Sequence, residues 1–461
     1  MKKLYTVTDL GGGDGGKGAV VHKLSSLNKA HTIIKVGGAQ GSHGVRTSYG
    51  ENFNFSQFGC GTFEGAKTYL SELMVIDPYL LLDEGRRLKY HWGIGNIFDY
   101  IAIDAQALCI TPFHLIASQL TEMSRKKKQK GTVGIGAGEA VLGAEKHPES
   151  SIRARDFGSP GLRDKLAAIR LQKTEDLQEI ISLVPEFWKK DQEQAKILLE
   201  LLADDNFVDD VVEAFNLVGS SVKVFDRDYL SQQILGRDGV VVVESSHGIL
   251  TDRYHGFCPY VSRLRTVPEF SWKLLEDCAY DGEIVKIALT RAYQIRHGAG
   301  PMVTENSDWS ENLLPGSSKQ DNRWQGKVRI GPLDFVSLRY ALEVCGGPQM
   351  FSGLALTWFD QIQSMGKWDW CEKYQGELND EFFTSSGCIK FNPEIGQGKT
   401  KHQEGLSAEL FRVRPDVTSY KIGTKNQKEL FDFSKELINN QLNMPISMIS
   451  FGPTEKDKIC F

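Results

Sequence analysis

Eight residues near the start of the chain, Gly11-Gly12-Gly13-Asp14-Gly15-Gly16-Lys17-Gly18, constrain it more than any other stretch. Before them Leu4-Tyr5-Thr6-Val7 reads as a strand, and after them Ala19-Val20-Val21-His22-Lys23-Leu24 reads as the start of a helix. Strand, glycine loop, lysine and helix together make an arrangement that wraps phosphate. Glycines let backbone N–H groups converge on one concavity, and the helix N-terminus adds positive partial charge. The lysine adds a mobile full charge. Asp14 is the unusual member, because a carboxylate beside phosphate is repelled unless it holds a metal or takes a proton. The loop therefore predicts phosphate chemistry as well as phosphate binding. It is not a standard Walker A, because Gly18 follows Lys17 where a Ser or Thr would ligate Mg²⁺. Taken alone, a glycine loop of this kind also serves as a simple tight turn.

A second strand-like run, His31-Thr32-Ile33-Ile34-Lys35-Val36, leads into Gly37-Gly38-Ala39-Gln40-Gly41-Ser42-His43-Gly44. Two parallel strands would bring both loops to the same carboxyl edge, where open α/β sheets bind ligands. His43 would then face Asp14 across a substrate, one serving as acid and the other as base. The β-branched run Gly239-Val240-Val241-Val242-Val243-Glu244 suits a buried parallel strand and delivers Glu244 and His247 to that edge. The fold class expected is α/β, a large and mostly parallel central sheet with helices on both faces.

With these motifs in place the chain resembles the adenylosuccinate synthetase family. Gly13-Asp14-Gly15-Gly16-Lys17-Gly18 is similar to that family's Gly-Asp-Glu-Gly-Lys-Gly, with Gly15 in place of Glu. Gly37, Gly38 and His43 match its second loop. Gly131-Thr132-Val133-Gly134-Ile135-Gly136 resembles Gly-Thr-Thr-Gly-Arg-Gly. Glu244-Ser245-Ser246-His247-Gly248 and the later His255 to Ser262 resemble Glu-Gly-Ala-Gln-Gly and His-Gly-x-x-Pro-Tyr-Val-Thr. Arg296-His297-Gly298-Ala299-Gly300-Pro301 resembles Arg-Val-Gly-Ala-Gly-Pro. Leu356-Thr357-Trp358-Phe359-Asp360 and Ser450-Phe451-Gly452-Pro453 resemble Leu-Thr-Lys-Leu-Asp and Ser-Thr-Gly-Pro. The motifs keep their order along nearly the whole chain.

The resemblance implies a GTP- and Mg²⁺-dependent ligase that joins an amine, by default L-aspartate, to carbon 6 of a 6-oxopurine nucleotide of the inosine monophosphate type. It implies Asp14 as the base at purine N1, His43 as the acid toward the phosphoryl group, and Lys17 as the third catalytic residue. GTP would lie on Gly13, Gly15, Gly16, Lys17, Gly18 and Gly44, with its base between Asp360, Ser450, Gly452 and Pro453. Mg²⁺ would sit between Asp14 and the Ser42 carbonyl. Gln40, Thr132, Val133, His247 and Ser262 would touch the purine nucleotide, with Lys327 and Arg329 near the amine. A homodimer is implied as well.

The departures concentrate on substrate contacts. Two arginines that clamp the dicarboxylate in the family fall on Gly326 and Val328. Bidentate arginine–carboxylate pairing is hard to replace with lysine. Either a shift brings Arg323 or Arg329 into place, or the amine partner differs. His247 stands for a family Gln, Gln40 for Asn, Val133 for Thr and Trp358 for Lys. Asp14, Lys17 and His43 are untouched. A related clade acts on guanine nucleotides, and a sensor that binds without turnover is the reading from a different class.

At 461 residues, 41% hydrophobic and 25% charged, the chain has an ordinary globular composition. Site motifs from both ends argue for one domain spanning 1–461, with a helical subdomain at 161–218 in which Leu177, Ile180, Ile181 and Val184 recur at helical spacing. The net charge of -5 gives no support for nucleic-acid binding. The basic run Arg125 to Lys130, just before the Gly131 loop, reads chiefly as a solvated helix end, with phosphate steering as the alternative. Eight cysteines without a CxxC leave zinc unsupported. No apolar run approaches a membrane span and no signal-peptide core follows Met1, so a cytoplasmic protein is expected. Asn96 to Ile103 reads as an extended piece. Ser307 to Trp324 reads as a mobile loop that could close over the second substrate.

Overall fold

The computed structural model describes residues 1–314, 323–423 and 427–461. At its centre is a twisted sheet whose strands run, edge to edge, Lys458–Cys460, Ile446–Ser450, Gly353–Thr357, Glu283–Arg291, Lys2–Asp9, Gly239–Ser245, Thr32–Gly38, Lys67–Ile76, Ile101–Asp104 and Lys223–Phe225. A short eleventh strand, Leu108–Cys109, pairs beside Lys67–Ile76. Every neighbouring pair is parallel except the antiparallel end pair Ile446–Ser450 and Lys458–Cys460.

The valine run explains why Gly239–Ser245 lies inside this order. Val241 and Val243 face one apolar cluster while Val242 faces another, so both faces of the strand are covered. A continuous apolar run suits that environment. The register sets Lys2 beside Gly239 and Thr32 beside Val241, which aligns the carboxyl ends of three strands.

Residues 161–218 are helical, as the spacing predicts, but in pieces: Leu162–Asp176, Gln178–Ser182, Lys189–Ala203 and Asn206–Ser221. The periodic run from Leu177 to Val184 is one short helix followed by a 3₁₀ turn at Val184–Glu186, because Pro185 cannot continue a helix. Leu166, Leu198, Val211 and Phe215 belong to the same apolar cluster as the sheet residues Val7 and Val242. The block therefore packs onto the sheet.

Two local expectations need correction. Asn96 to Ile103 is extended only from Ile101, since Ile97–Tyr100 forms a 3₁₀ turn. Ser307–Leu313 is a helix, capped by the Asn306 side chain on the Trp309 N–H. The Pro315-Gly316-Ser317-Ser318 segment of the expected lid lies outside the described residues. No described helix is long and apolar enough to cross a membrane.

Candidate active site

The first glycine loop is pinned from beneath. Asp9, at the end of the central strand, is buried and accepts from Gly11 N at 2.9 Å, Gly15 N at 3.0 Å and Lys17 Nζ at 2.7 Å. Lys17 Nζ also donates to the His247 carbonyl at 2.7 Å. The ammonium thus ties the first loop to the loop after Gly239–Ser245 while lining the cavity above. Thr357 Oγ1 donates to Gly15 O at 2.5 Å, adding the fourth strand of the edge. Gly16, at φ 97°, takes the left-handed turn that starts the helix Lys17–Asn28.

Asp14 also has a left-handed backbone, at φ 59°. Arg291 Nε donates to its carbonyl at 2.5 Å, and His297 Nε2 lies 3.2 Å from its Oδ2. Its carboxylate therefore reaches the cavity with one oxygen already approached by the protein.

His43 is oriented by a buried carboxylate. Its Nδ1 lies 2.6 Å from Glu244 Oε1, which also receives Lys35 Nζ at 2.6 Å, while Glu244 Oε2 accepts the Cys60 N–H at 2.9 Å. Burial alone would raise the Glu244 pKa, but Lys35 and His43 hold it well below the usual carboxylate range. Burial pushes His43 down to about 4 against the pull of Glu244. A neutral ring that donates Nδ1–H to Glu244 presents its Nε2 to the cavity. His43, Cys60 and Glu244 are close enough to hold a metal ion, but the Lys35 ammonium already compensates the carboxylate there.

These groups border one cavity of about 700 Å³. Its walls include Gly13, Asp14, Gly16, Lys17, Gly18, Gln40, Ser42, His43 and Gly44 from the first two loops. They also include Thr132, Val133, His247, Ser262, Asp360, Ser450, Gly452 and Pro453. Segments spread from residue 12 to residue 453 therefore meet at one sheet edge. His247, at φ 64°, sets its Nε2 2.8 Å from Gln40 Nε2, and burial with Lys17 nearby pushes its pKa down to about 4. A neutral His247 ring accepts that amide hydrogen.

Four residues expected at or near the substrates fall elsewhere. Gly15 turns inward, its N–H spent on Asp9, and a side chain there would meet Leu289 Cδ1 at 2.6 Å. Lys327 is exposed and lies off the cavity wall. Arg329 is committed to Glu305 at 2.7 Å and to the carbonyls of Gly298 and Gly300, both at 2.7 Å. Arg323 is held by Asp191 at 2.7 Å on the helical block.

The structure adds residues to the wall, two of them from the basic run for which phosphate steering is the lesser reading. Arg125 and Lys130 line the cavity beside Arg263, so part of the basic run that reads as a solvated helix end surrounds the Gly131 loop. Burial, with Arg125 and Arg263 nearby, lowers the Lys130 pKa. Arg291, Gln361 and Glu404 are also on the wall, and nothing local in the sequence marks them. His297 had one signal, since it stands where the resembling motif carries Val.

Comparison with known proteins gives a consistent picture. The family model described as adenylosuccinate synthetase matches residues 7–459. Adenylosuccinate synthetase of Desulfovibrio desulfuricans is 27% identical over 370 residues, covering 79% of this chain and 80% of that one. The Borrelia recurrentis enzyme of the same name is 24% identical over 470 residues, covering 99% and 98%. Among solved structures, fully ligated adenylosuccinate synthetase from Plasmodium falciparum superposes with TM-score 0.72 at 18% identity, covering 99% of each chain. The cyanophage S-2L succinoaminodeoxyadenylate synthetase, bound to dGMP and to dATP as an energy donor, gives 0.59 at 14% identity, covering 100% of this chain and 95% of that one.

Proposed function

The chain belongs to the adenylosuccinate synthetase family of carbon–nitrogen ligases, and from that premise we propose that it uses GTP to phosphorylate O6 of an inosine monophosphate-type nucleotide and then joins an amine, by default L-aspartate, at C6. The observation that carries this reading is the placement of Asp14 and His43 on one cavity wall, with His43 oriented by Glu244.

Asp14 would take the N1 proton, freeing the O6 electron pair to attack the γ-phosphorus, with GDP leaving. His43 would donate from Nε2 to the oxygens of the group in transfer. The negative triphosphate favours the protonated ring, opposing the burial that otherwise keeps it neutral. The amine then adds at C6 and expels O6 as phosphate. Backbone N–H groups and Lys17 supply the charge neutralisation that phosphoryl transfer chiefly needs. The Asp14 carboxylate and the Ser42 carbonyl, both at the cavity, are hard oxygen donors that fit Mg²⁺ alongside phosphate oxygens. When bound there, the ion would neutralise charge on the β- and γ-phosphates. Lys130 and Arg263 would hold the nucleotide's own phosphate, with Arg125 beside them paired to Glu122. A homodimer is part of the same reading, checked by light scattering in solution.

A second reading, a paralogue with another amine or a guanine nucleotide, has its own support. Arg323 and Arg329 are already engaged by protein groups, and one structural neighbour holds dGMP. Phosphate release from GTP and Mg²⁺ separates the readings. Inosine and guanosine monophosphates, ribo and deoxy, are crossed with a panel of amino acids and amines. Release that requires inosine monophosphate and aspartate supports the first reading. Release that requires another pair supports the second. No release with any pair, while GTP still binds, rejects both in favour of a sensor.

A further inference from the structure

Beside Asp360 the cavity wall carries Gln361, whose side-chain amide is not free to turn. Arg291 Nη1 donates to the Tyr293 hydroxyl at 2.6 Å, and that hydroxyl lies 2.5 Å from the Gln361 side-chain oxygen. An arginine can only donate, so the tyrosine oxygen is the acceptor in the first contact. Arg291 and Tyr293 are 2% and 1% exposed, so the hydroxyl hydrogen has no water to turn to. Among the described residues Gln361 is the acceptor recorded for it. The amide oxygen therefore faces Tyr293, and the amide NH₂ is left to donate. The relay is held in place, since the Arg291 guanidinium also stacks 4.1 Å from the Trp358 ring centre.

We propose that Arg291 and Tyr293 fix Gln361 as a donor next to the Asp360 acceptor, and that this ordered pair makes the energy-donor pocket select guanine over adenine. The proposal rests on the ligase reading for the identity of the pocket and adds residues that set its selectivity. The edge of guanine presents an acceptor at O6 and donors at N1 and N2. A donor amide at position 6 and a carboxylate at positions 1 and 2 satisfy all three. Adenine reverses positions 6 and 1, setting an N6 donor against the amide and an N1 lone pair against the carboxylate. Unpaired buried polar groups are what give hydrogen-bonding sites their discrimination.

The test is equilibrium binding of non-hydrolysable GTP, ITP and ATP analogues with Mg²⁺ by calorimetry, on the full chain. The wild type should bind the guanine analogue on the order of a hundredfold more tightly than the adenine analogue. The inosine analogue, which keeps O6 and N1–H, should lie near guanine. Tyr293→Phe frees the amide to flip and should shrink the preference to within about tenfold, mainly by gaining adenine affinity. Gln361→Glu, at a half-exposed position, keeps the test alive if Tyr293→Phe does not fold, and should weaken guanine binding while sparing adenine. Equal affinities in the wild type, preference unchanged in a folded Tyr293→Phe, or no binding of any triphosphate would overturn the proposal. Loss of phosphate release with every amine, while the guanine preference persists, rejects the ligase reading and leaves this one standing.

Discussion

At the scale of single residues, the site separates chemistry from support. Asp14 adopts a left-handed backbone that asparagine also tolerates, so Asp14→Asn should fold normally. Its amide could not take the proton that the proposed reaction assigns to Asp14. Phosphate release should fall by about 10² to 10⁴, the usual range for loss of a general base, while GTP affinity measured by calorimetry without Mg²⁺ stays within a few-fold. Normal turnover would show that the base lies elsewhere. Glu244 plays the supporting part. It is fully buried, and Glu244→Gln would leave the Lys35 ammonium, also buried, without its counter-charge. Breaking one side of such a pair costs about 3–5 kcal/mol, which urea unfolding would resolve. Changing Lys35 to Met in the same chain should recover part of that loss, because no charge then remains unpaired. An unchanged unfolding midpoint in Glu244→Gln would show that the pair contributes nothing.

At the scale of elements, the site is a meeting of loops whose backbones touch. Gly248 has an ordinary φ of -133°, so conformational freedom is not the reason for glycine there. Space is the reason. An added Cβ would lie 2.2 Å from Gly11 O and 2.6 Å from Gly13 N, both backbone atoms of the first glycine loop. The Leu250 N–H already donates to Gly11 O at 3.1 Å, so the two loops move as one. Gly248→Ala should push the first loop off its position and cost about 1–3 kcal/mol of overpacking. Displacement of about 1 Å near a reacting group can cost about a hundredfold in rate. The expected result is a folded protein by circular dichroism with phosphate release reduced by that order. Wild-type kinetics would mean that the loops tolerate separation.

At the scale of the whole molecule, what the sequence made legible was what is local. Glycine loops after β-branched runs are written in consecutive residues, so the two loops, the valine strand and the parallel sheet could be read directly. Asp14 and His43 followed from them. The partners that fix the site could not, because they depend on strand order. Arg291 reaches Asp14 only because Glu283–Arg291 pairs with Lys2–Asp9. Arg125 and Lys130 differ from their exposed neighbours Lys127 and Lys128 only in which way they face. Burial of histidine is likewise a property of the assembled fold, and it sets how the whole molecule responds to acid. His114, at the third position of the helix Pro112–Ser124, is 4% exposed and its Nδ1 meets Thr111 N at 3.1 Å and Thr111 Oγ1 at 3.0 Å. Burial pushes its pKa from 6.5 down to about 3. Between those values the unfolded chain binds a proton that the folded chain refuses, so stability rises with pH across this window and is lost as pH falls through it. One such histidine contributes a slope of up to about 1.4 kcal/mol per pH unit. His31 and His255, both lowered to about 4 by burial, act in the same direction. Glu84, raised to about 7 by burial, acts in the opposite direction in the same window, so the histidine contribution is read as a difference between proteins in urea unfolding at pH 7.5, 6.5, 5.5 and 4.5. In His114→Asn, whose amide can still meet Thr111, the curve should be flatter by about one proton over that range. Equal slopes in the two proteins would mean that His114 stays neutral in both states, or is charged in both, and that burial is not what controls it.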